Sequence, residues 1–323
     1  MPQRATDAPD RSDDPRDAPR DDRLDDFARR TLTFPLAIPT PPRPDDANSP
    51  DDATGTNSPD DATGTNSPDT TKVVYVAGRG PAVVVLSEMP GLSPDVLRFA
   101  RWVRDAGFTV YLPSLFGRDG AYPHAEPGLR VLRRACISAE FQALAANVTS
   151  PVTHWLRALA RIAHAECGGP GVGAVGMCFT GNFALTMMLE PAVLAPVLCQ
   201  PSLPLGDPAA LHIAPGDLAR VRARLEHDDL SVLAYRMEGD RYCTGQRFAA
   251  YAKALGARFD GRVVPASAAN PSPPPFFAEV IGCPHSVVTA HLVDRDGEPT
   301  REARDAILAF LAQRLHAPSP SAP

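Results

Sequence analysis

The sequence lacks any apolar run approaching the roughly 18 residues needed to cross a bilayer, so no membrane-spanning helix is expected. Its first 30 residues are rich in Asp, Arg and Pro and lack the apolar centre of a secretory signal, which predicts a cytoplasmic protein. Basic residues are not in surplus: 32 Lys and Arg stand against 38 Asp and Glu, a net charge of −6. Without a basic footprint a nucleic-acid partner is not expected. The six cysteines, Cys136, Cys167, Cys178, Cys199, Cys243 and Cys283, show no CxxC pairing. Free thiols in a reducing compartment are expected rather than disulfides. The histidines show no metal-ligand spacing; His154 and His164, ten apart, do not stack at i, i+4. The Gly-rich stretch 168–173 precedes a strand instead of joining strand to helix, so it reads as a turn and not as a phosphate cradle. No metal and no cofactor are expected.

Order and disorder should stand side by side. Apolar residues make up 44% of the chain, normal for a packed core, whereas the 36 prolines are unevenly spread. Residues 1–24 are mostly Asp, Arg and Pro and cannot bury enough apolar surface to fold. Residues 39–71 are also polar and carry NSPDDATGT twice, with a third copy begun at Asn66. A repeat with no apolar position cannot stack as a solenoid, so a duplicated flexible insert is the expectation. Between these segments, 25–38 is a candidate first strand. Phe27–Phe34 alternates in part, and Lys72–Ala77 is a clear strand pattern. The two are expected to pair as a hairpin, because a long loop adds little closure entropy. Residues 316–323 read as a terminal tail.

From 72 to 315 strand and helix patterns alternate. Val83–Leu86 is wholly apolar, as in a strand buried on both faces. Pro94–Asp105 is helical, with Val96, Leu97, Ala100 and Val103 on one face, and Gly107 ends it. Strands are expected at 109–112, 172–176, 195–199 and 232–237, and helices at 152–166, 182–189, 246–255 and 301–315. Such alternation predicts one domain, a doubly wound, mostly parallel α/β sheet with helices on both faces. The stretches 203–230 and 262–278 read as inserts that shape a pocket mouth.

The chemistry starts at Gly176-Met-Cys-Phe-Thr-Gly181, where a buried strand meets a helix with Gly two residues before Cys178. That is the layout of a nucleophile elbow, and a helix N-terminus favours a thiolate. A lone buried cysteine is more often a packing residue. Asp240 follows the strand at 232–237, and His285 sits in a loop before the last helix. Alone, Asp240 would read as a cap or turn residue and His285 as a satisfied histidine. Together they stand in the order nucleophile, acid, histidine that the α/β-hydrolase fold requires.

Residues 81–120 and 171–187, with the Asp240 and His285 segments, resemble the dienelactone hydrolase family. Its cysteine elbow G-x-C-x-G-G is matched by Gly176–Gly181, its strand ending in glutamate by Val83–Leu86 and Ser87-Glu88, and its P-D-L-[YF] strand end by Pro113-Ser-Leu-Phe. The resemblance implies an α/β-hydrolase fold and a Cys178–His285–Asp240 triad. It implies that Glu88 lies near the resting thiol and governs its ionisation, and that the N–H groups of Met89 and Phe179 form the oxyanion hole. Two positions depart from the pattern. Thr180 stands where the family has Gly, which crowds the elbow, and no arginine follows His285, where the family has its carboxylate clamp. Arg118, Arg130, Arg133 and Arg134 are the candidates for replacing that charge.

The expected reaction is hydrolysis of an ester or lactone through a thioester acyl-enzyme, by a monomer or small homo-oligomer acting on a small molecule. Two other readings stand beside it. One is a non-catalytic binding or regulatory protein on the same fold. The other is a redox-active thiol protein, with Cys243 or Cys283 resolving Cys178.

Overall fold

Eight strands form one sheet in the order β1-β2-β4-β3-β5-β6-β7-β8. The computed structural model describes residues 24–34 and 70–316; the acidic tail, the nine-residue repeats and the last seven residues lie outside that range. In chain order the elements are β1 (Ala28–Phe34), β2 (Thr70–Gly78), β3 (Ala82–Leu86), α1 (Pro94–Asp105), β4 (Thr109–Pro113), α2 (Ala125–Cys136), α3 (Val152–Cys167), β5 (Val172–Met177), α4 (Gly181–Met187), β6 (Val193–Cys199), α5 (Pro215–His227), β7 (Val232–Met237), α6 (Gly245–Leu255), β8 (Phe259–Val264) and α7 (Pro299–Leu315). β1 pairs antiparallel with β2, with Leu32 opposite Lys72, and β2 pairs antiparallel with β4. From β4 to β8 every pairing is parallel. This is the doubly wound, mostly parallel sheet of an α/β-hydrolase.

The alternation of strand side chains builds two cores. On β3, Ala82, Val84 and Leu86 join a core with residues of α3 and α4, while Val83 and Val85 join another with residues of α1 and α7. Every β3 and β5 residue is buried, which explains why both read as unbroken apolar runs. α1 starts where Ser93 caps it, accepting from the Val96 N–H at 3.4 Å, with Pro94 in the first turn.

Three elements escaped the sequence reading. α5 falls inside the expected insert at 203–230, where only Val221 and Leu225 are buried. β8 begins in Phe259-Asp-Gly and has mostly exposed residues, because it is the last strand of the sheet. α2 presents little buried surface, with only Gly128 and Ala135 inside. In α5 and β8 the apolar period is too sparse to reveal the element, whereas α2 does carry one, through Val131, Leu132, Ala135 and Cys136, which pack on the first core. At the edges of the described residues, Leu24 packs against the second core and His316 stacks on Phe108. Among the described residues no helix is long and apolar enough to cross a membrane.

The loop after β6 is held by a buried arginine. Arg247, on α6, is 1% exposed. Its guanidinium donates to the carbonyls of Ser202 (2.5 Å), Pro204 (2.6 Å), Asp207 (2.5 Å) and Tyr242 (2.6 Å), with Ala210 and Pro201 further off at 3.3 and 3.5 Å. The charge is spread over main-chain oxygens, and one side chain joins the 201–210 loop to the loop after β7. Arg247→Met would leave those carbonyls without donors inside the protein. Each buried unsatisfied polar group costs about 1–3 kcal/mol. We expect urea unfolding to show a loss of at least ~3 kcal/mol, with α6 still helical by far-UV circular dichroism.

Candidate active site

The C-terminal ends of β3, β5, β6 and β7 bring the site together. β5 runs buried to Met177, and Cys178 then takes φ 54°, in the left-handed region. For a residue with a Cβ that conformation costs about 1–2 kcal/mol. The turn leaves no room beside it. A Cβ on Gly176 would sit 2.3 Å from the Thr180 carbonyl oxygen, and one on Gly181 would sit 2.6 Å from Cα of Pro201. Both glycines are there for close approach of backbone to backbone. Thr180, the departure from the family pattern, does more than crowd the elbow. Its hydroxyl accepts from the Met177 N–H at 3.0 Å and lies 3.1 Å from the Leu86 carbonyl and 3.2 Å from that of Ser87. It therefore ties the elbow to the end of β3.

Asp240 and His285 meet as the sequence order suggested. Asp240 Oδ1 accepts the N–H groups of Tyr242 (2.8 Å) and Cys243 (3.0 Å), and Oδ2 accepts from His285 Nδ1 at 2.8 Å. Both side chains are fully buried. Burial pushes the Asp240 carboxyl up, but the His285 charge and three hydrogen bonds outweigh it and hold the group below its ordinary value. For His285 burial disfavours the charged ring, yet Asp240 and Cys178 outweigh it, so the imidazole holds its proton well above the usual range. Its other nitrogen, Nε2, is buried and makes no well-formed hydrogen bond. Cys178 is the neighbour whose charge and hydrogen bonding act on the ring after Asp240.

Glu88, directly after Ser87 at the end of β3, is completely buried. Among the described residues its hydrogen-bond donors are Thr289 Oγ1 (2.5 Å), Ser286 Oγ (2.6 Å) and Gln200 Nε2 (3.3 Å), and none is a cation. Thr289 and Ser286 belong to the His285 loop, so the glutamate fastens that loop to β3. Burial pushes its carboxyl up to about 7, although the two hydroxyls pull the other way. Gln200, at φ 36° and fully buried, also accepts from the Val287 N–H at 3.4 Å and so links β6 to the same loop. Ser202 lies at Cys178: its hydroxyl reaches Cys178 Sγ at 3.5 Å, and its N–H donates to the Cys178 carbonyl at 3.0 Å.

Met89 is buried in the loop after β3, and Phe179 follows Cys178 in the first turn of a short 3-10 segment, where N–H groups lack helical partners. A cavity of about 810 Å³ has Pro90 and Gly91, the residues after Met89, in its wall, while Met89, Cys178, Phe179 and His285 themselves do not line it. Phe116 and Phe141, also on that wall, pack edge-on against Phe179. Of the four candidate arginines, Arg118, Arg130 and Arg134 line the cavity and Arg133 does not. Arg130 is paired with Glu126. A smaller cavity of about 490 Å³ adjoins the other side of the His285 loop, at Gly282, Cys283 and Pro284.

All six cysteines are free. Cys243 is fully buried, and burial and the Asp240 charge raise its thiol well above the ordinary value, which makes it a poor resolving thiol. Among the described residues no cluster of His, Cys, Asp or Glu is arranged to hold a metal.

Sequence reasoning missed Gln200, Ser202, Ser286, Thr289 and Arg247. Two hydroxyl residues so close after His285 were a usable signal for the Glu88 partners. Nothing local marks Ser202 or Arg247, which reach the site from other parts of the chain.

Glu88 generates a pH prediction. Its folded value of about 7 lies above its ordinary 4.5. The folded protein therefore binds its proton more tightly than the unfolded chain, and the resulting stability is full below 4.5 and lost as pH rises through 7. At 1.36 kcal/mol per unit the loss is ~3 kcal/mol. Glu88→Gln should flatten this part of the stability curve, measured by urea unfolding at pH 5 to 8.

Part of the chain is similar to known proteins. Residues 70–204 match the model of the dienelactone hydrolase family, a span that holds Glu88, Cys178 and Ser202 and stops short of Asp240 and His285. No curated protein matches the chain in sequence. Among solved structures, one named m3DLH is 16% identical, with a TM-score of 0.50, covering 90% of this chain and 99% of its own. A dienelactone hydrolase described as putative from Klebsiella pneumoniae subsp. pneumoniae is 18% identical, at a TM-score of 0.49, covering 76% of this chain and 94% of its own. The dienelactone hydrolase from Anabaena variabilis is 12% identical, at 0.48, covering 90% and 100%. At such identities structural likeness speaks to the fold alone, and it is the sequence match over residues 70–204 that makes this chain similar to the dienelactone hydrolase family.

Proposed function

We propose that this hydrolase acts on ester bonds, in carboxylic esters or lactones, through Cys178, His285 and Asp240. The observation that carries the reading is the buried Asp240–His285 pair aligned behind a cysteine in an elbow of positive φ. His285 takes the Cys178 proton at Nε2, and Asp240 stabilises the imidazolium through Nδ1. The thiolate attacks the carbonyl carbon, and the carbonyl electron pair moves to oxygen, facing the N–H groups of Met89 and Phe179. Collapse expels the alkoxide, which takes the proton from His285. Water, deprotonated by His285, then attacks the thioester. The acid leaves, and the thiolate departs and is reprotonated. Glu88 accepts from no arginine, so burial, opposed by the Ser286 and Thr289 hydroxyls and the His285 charge, governs its ionisation.

The large cavity bounded by Pro90 and Gly91, next in the chain after Met89, suits the remainder of the substrate. Arg118 and Arg134 give it positive potential, which favours substrates carrying an anionic group away from the scissile bond. These arginines are exposed, so the discrimination they supply is modest and falls with salt.

Incubation with p-nitrophenyl acetate and with a cis-dienelactone, followed by intact mass and peptide mapping, tests the chemistry. We expect turnover and an acyl adduct on Cys178. Cys178→Ala should reduce kcat at least ~10³-fold, since loss of a nucleophile removes the covalent route; retained activity would overturn the scheme. For the cavity, the double variant Arg118→Ala/Arg134→Ala should raise KM for the lactone carboxylate several-fold and leave KM for p-nitrophenyl acetate unchanged. Equal effects on both would remove the arginines from substrate recognition.

A further inference from the structure

Ser202 stands where no motif would look for a participant, in the loop after β6, at 2% exposure. Its position is held from both sides. Its N–H donates to the Cys178 carbonyl at 3.0 Å, and its own carbonyl accepts from Arg247 at 2.5 Å. Its hydroxyl has two acceptors within reach, the Gln200 carbonyl at 3.0 Å and Cys178 Sγ at 3.5 Å. A hydroxyl carries a single hydrogen and can serve only one of them at a time.

Which acceptor wins depends on the charge of the sulfur. A neutral thiol is a weak acceptor, and the Gln200 carbonyl keeps the hydrogen. A thiolate accepts a charge-assisted hydrogen bond, which is roughly twice as strong as a neutral one. Rotation of the hydroxyl hydrogen is then enough to redirect the donor, with no heavy atom moving. The site is buried, so little water competes for the bond. Once the sulfur is acylated its charge is gone, and the hydroxyl returns to Gln200 without being left unpaired.

We infer that Ser202 is a further catalytic residue, whose hydroxyl donates to Cys178 Sγ only while the sulfur is anionic. It stabilises the thiolate both as the attacking group and as the group that leaves when the thioester is hydrolysed. The inference rests on the triad reading above and adds to it a donor that follows the charge. Arg247 is a positioning residue for it, because that guanidinium fixes the Ser202 carbonyl and with it the direction of the hydroxyl.

Thiolate absorbance at 240 nm, followed against pH with the Cys178→Ala variant subtracted, reads this interaction without any substrate. Iodoacetamide alkylation of Cys178 against pH is the second readout. Ser202→Ala should move the Cys178 step to higher pH by about one unit, a tenfold change in thiolate stability. Ser202→Thr, which keeps the hydroxyl, should return the step toward its original position. A serine that only supported the loop would lower the thermal midpoint and leave the step where it was. If Ser202→Ala fails to fold, Ser202→Gly reads the same shift. An unmoved step that still depends on His285, judged with His285→Gln, would overturn the role of Ser202 and leave the triad standing. A step independent of His285 would overturn the triad reading and this inference with it.

Discussion

The site depends on one strained residue. Cys178 can present its sulfur above the sheet only because its backbone turns into the left-handed region at the end of β5. That turn dictates what surrounds it: glycine at 176 and 181, where backbone lies too close for any Cβ, and a hydroxyl at 180 that bonds back to the ends of β5 and β3. The strain is supported by β5, a strand buried on both faces and paired on both edges. A surface loop would relax out of such a conformation, and a central parallel strand cannot.

Around this elbow the protein relies on hydrogen bonds from neutral donors. Glu88 accepts from neutral donors, and no arginine follows His285 closely; Thr289 in that stretch donates to the same carboxylate. The buried cation near the site is Arg247, which spends its donors on main-chain carbonyls. One arrangement holds the His285 loop to β3, and the other holds the 201–210 loop to the loop carrying Asp240. Cys178, Asp240 and His285 thus arrive on separate loops that are fastened from behind. The thiol is left between an imidazolium-forming ring and a serine hydroxyl, which is a setting for ionisation chemistry.

Much of the fold could be read in advance because most central strands are buried on both faces. Val83–Leu86 and Val172–Gly176 are apolar runs for that reason, and the helices 94–105 and 152–167 show one apolar face because they cover them. The elements that escaped are those with little to bury. β8 is an edge strand interrupted by Asp260 and Gly261, α2 packs mostly half-buried side chains on the core, and α5 fully buries only Val221 and Leu225. Periodicity records burial, so an element at the rim of the molecule leaves a weak trace.

By itself the sequence determined the chain order of cysteine, acid and histidine, the strand-to-helix turn at Cys178 and the alternation that demands a parallel sheet. These are local properties, written in spacing and in the size of neighbouring side chains. Only the tertiary structure decided which donors meet Glu88, that Ser202 reaches the sulfur, that Arg247 holds the loop beneath it, and which arginines face the cavity. Those contacts join residues up to about 200 positions apart, such as Glu88 and Thr289. Hydroxyls, amides and guanidinium groups also occur throughout the surface, so their identity carries no signal until folding brings them to a buried atom that needs a partner.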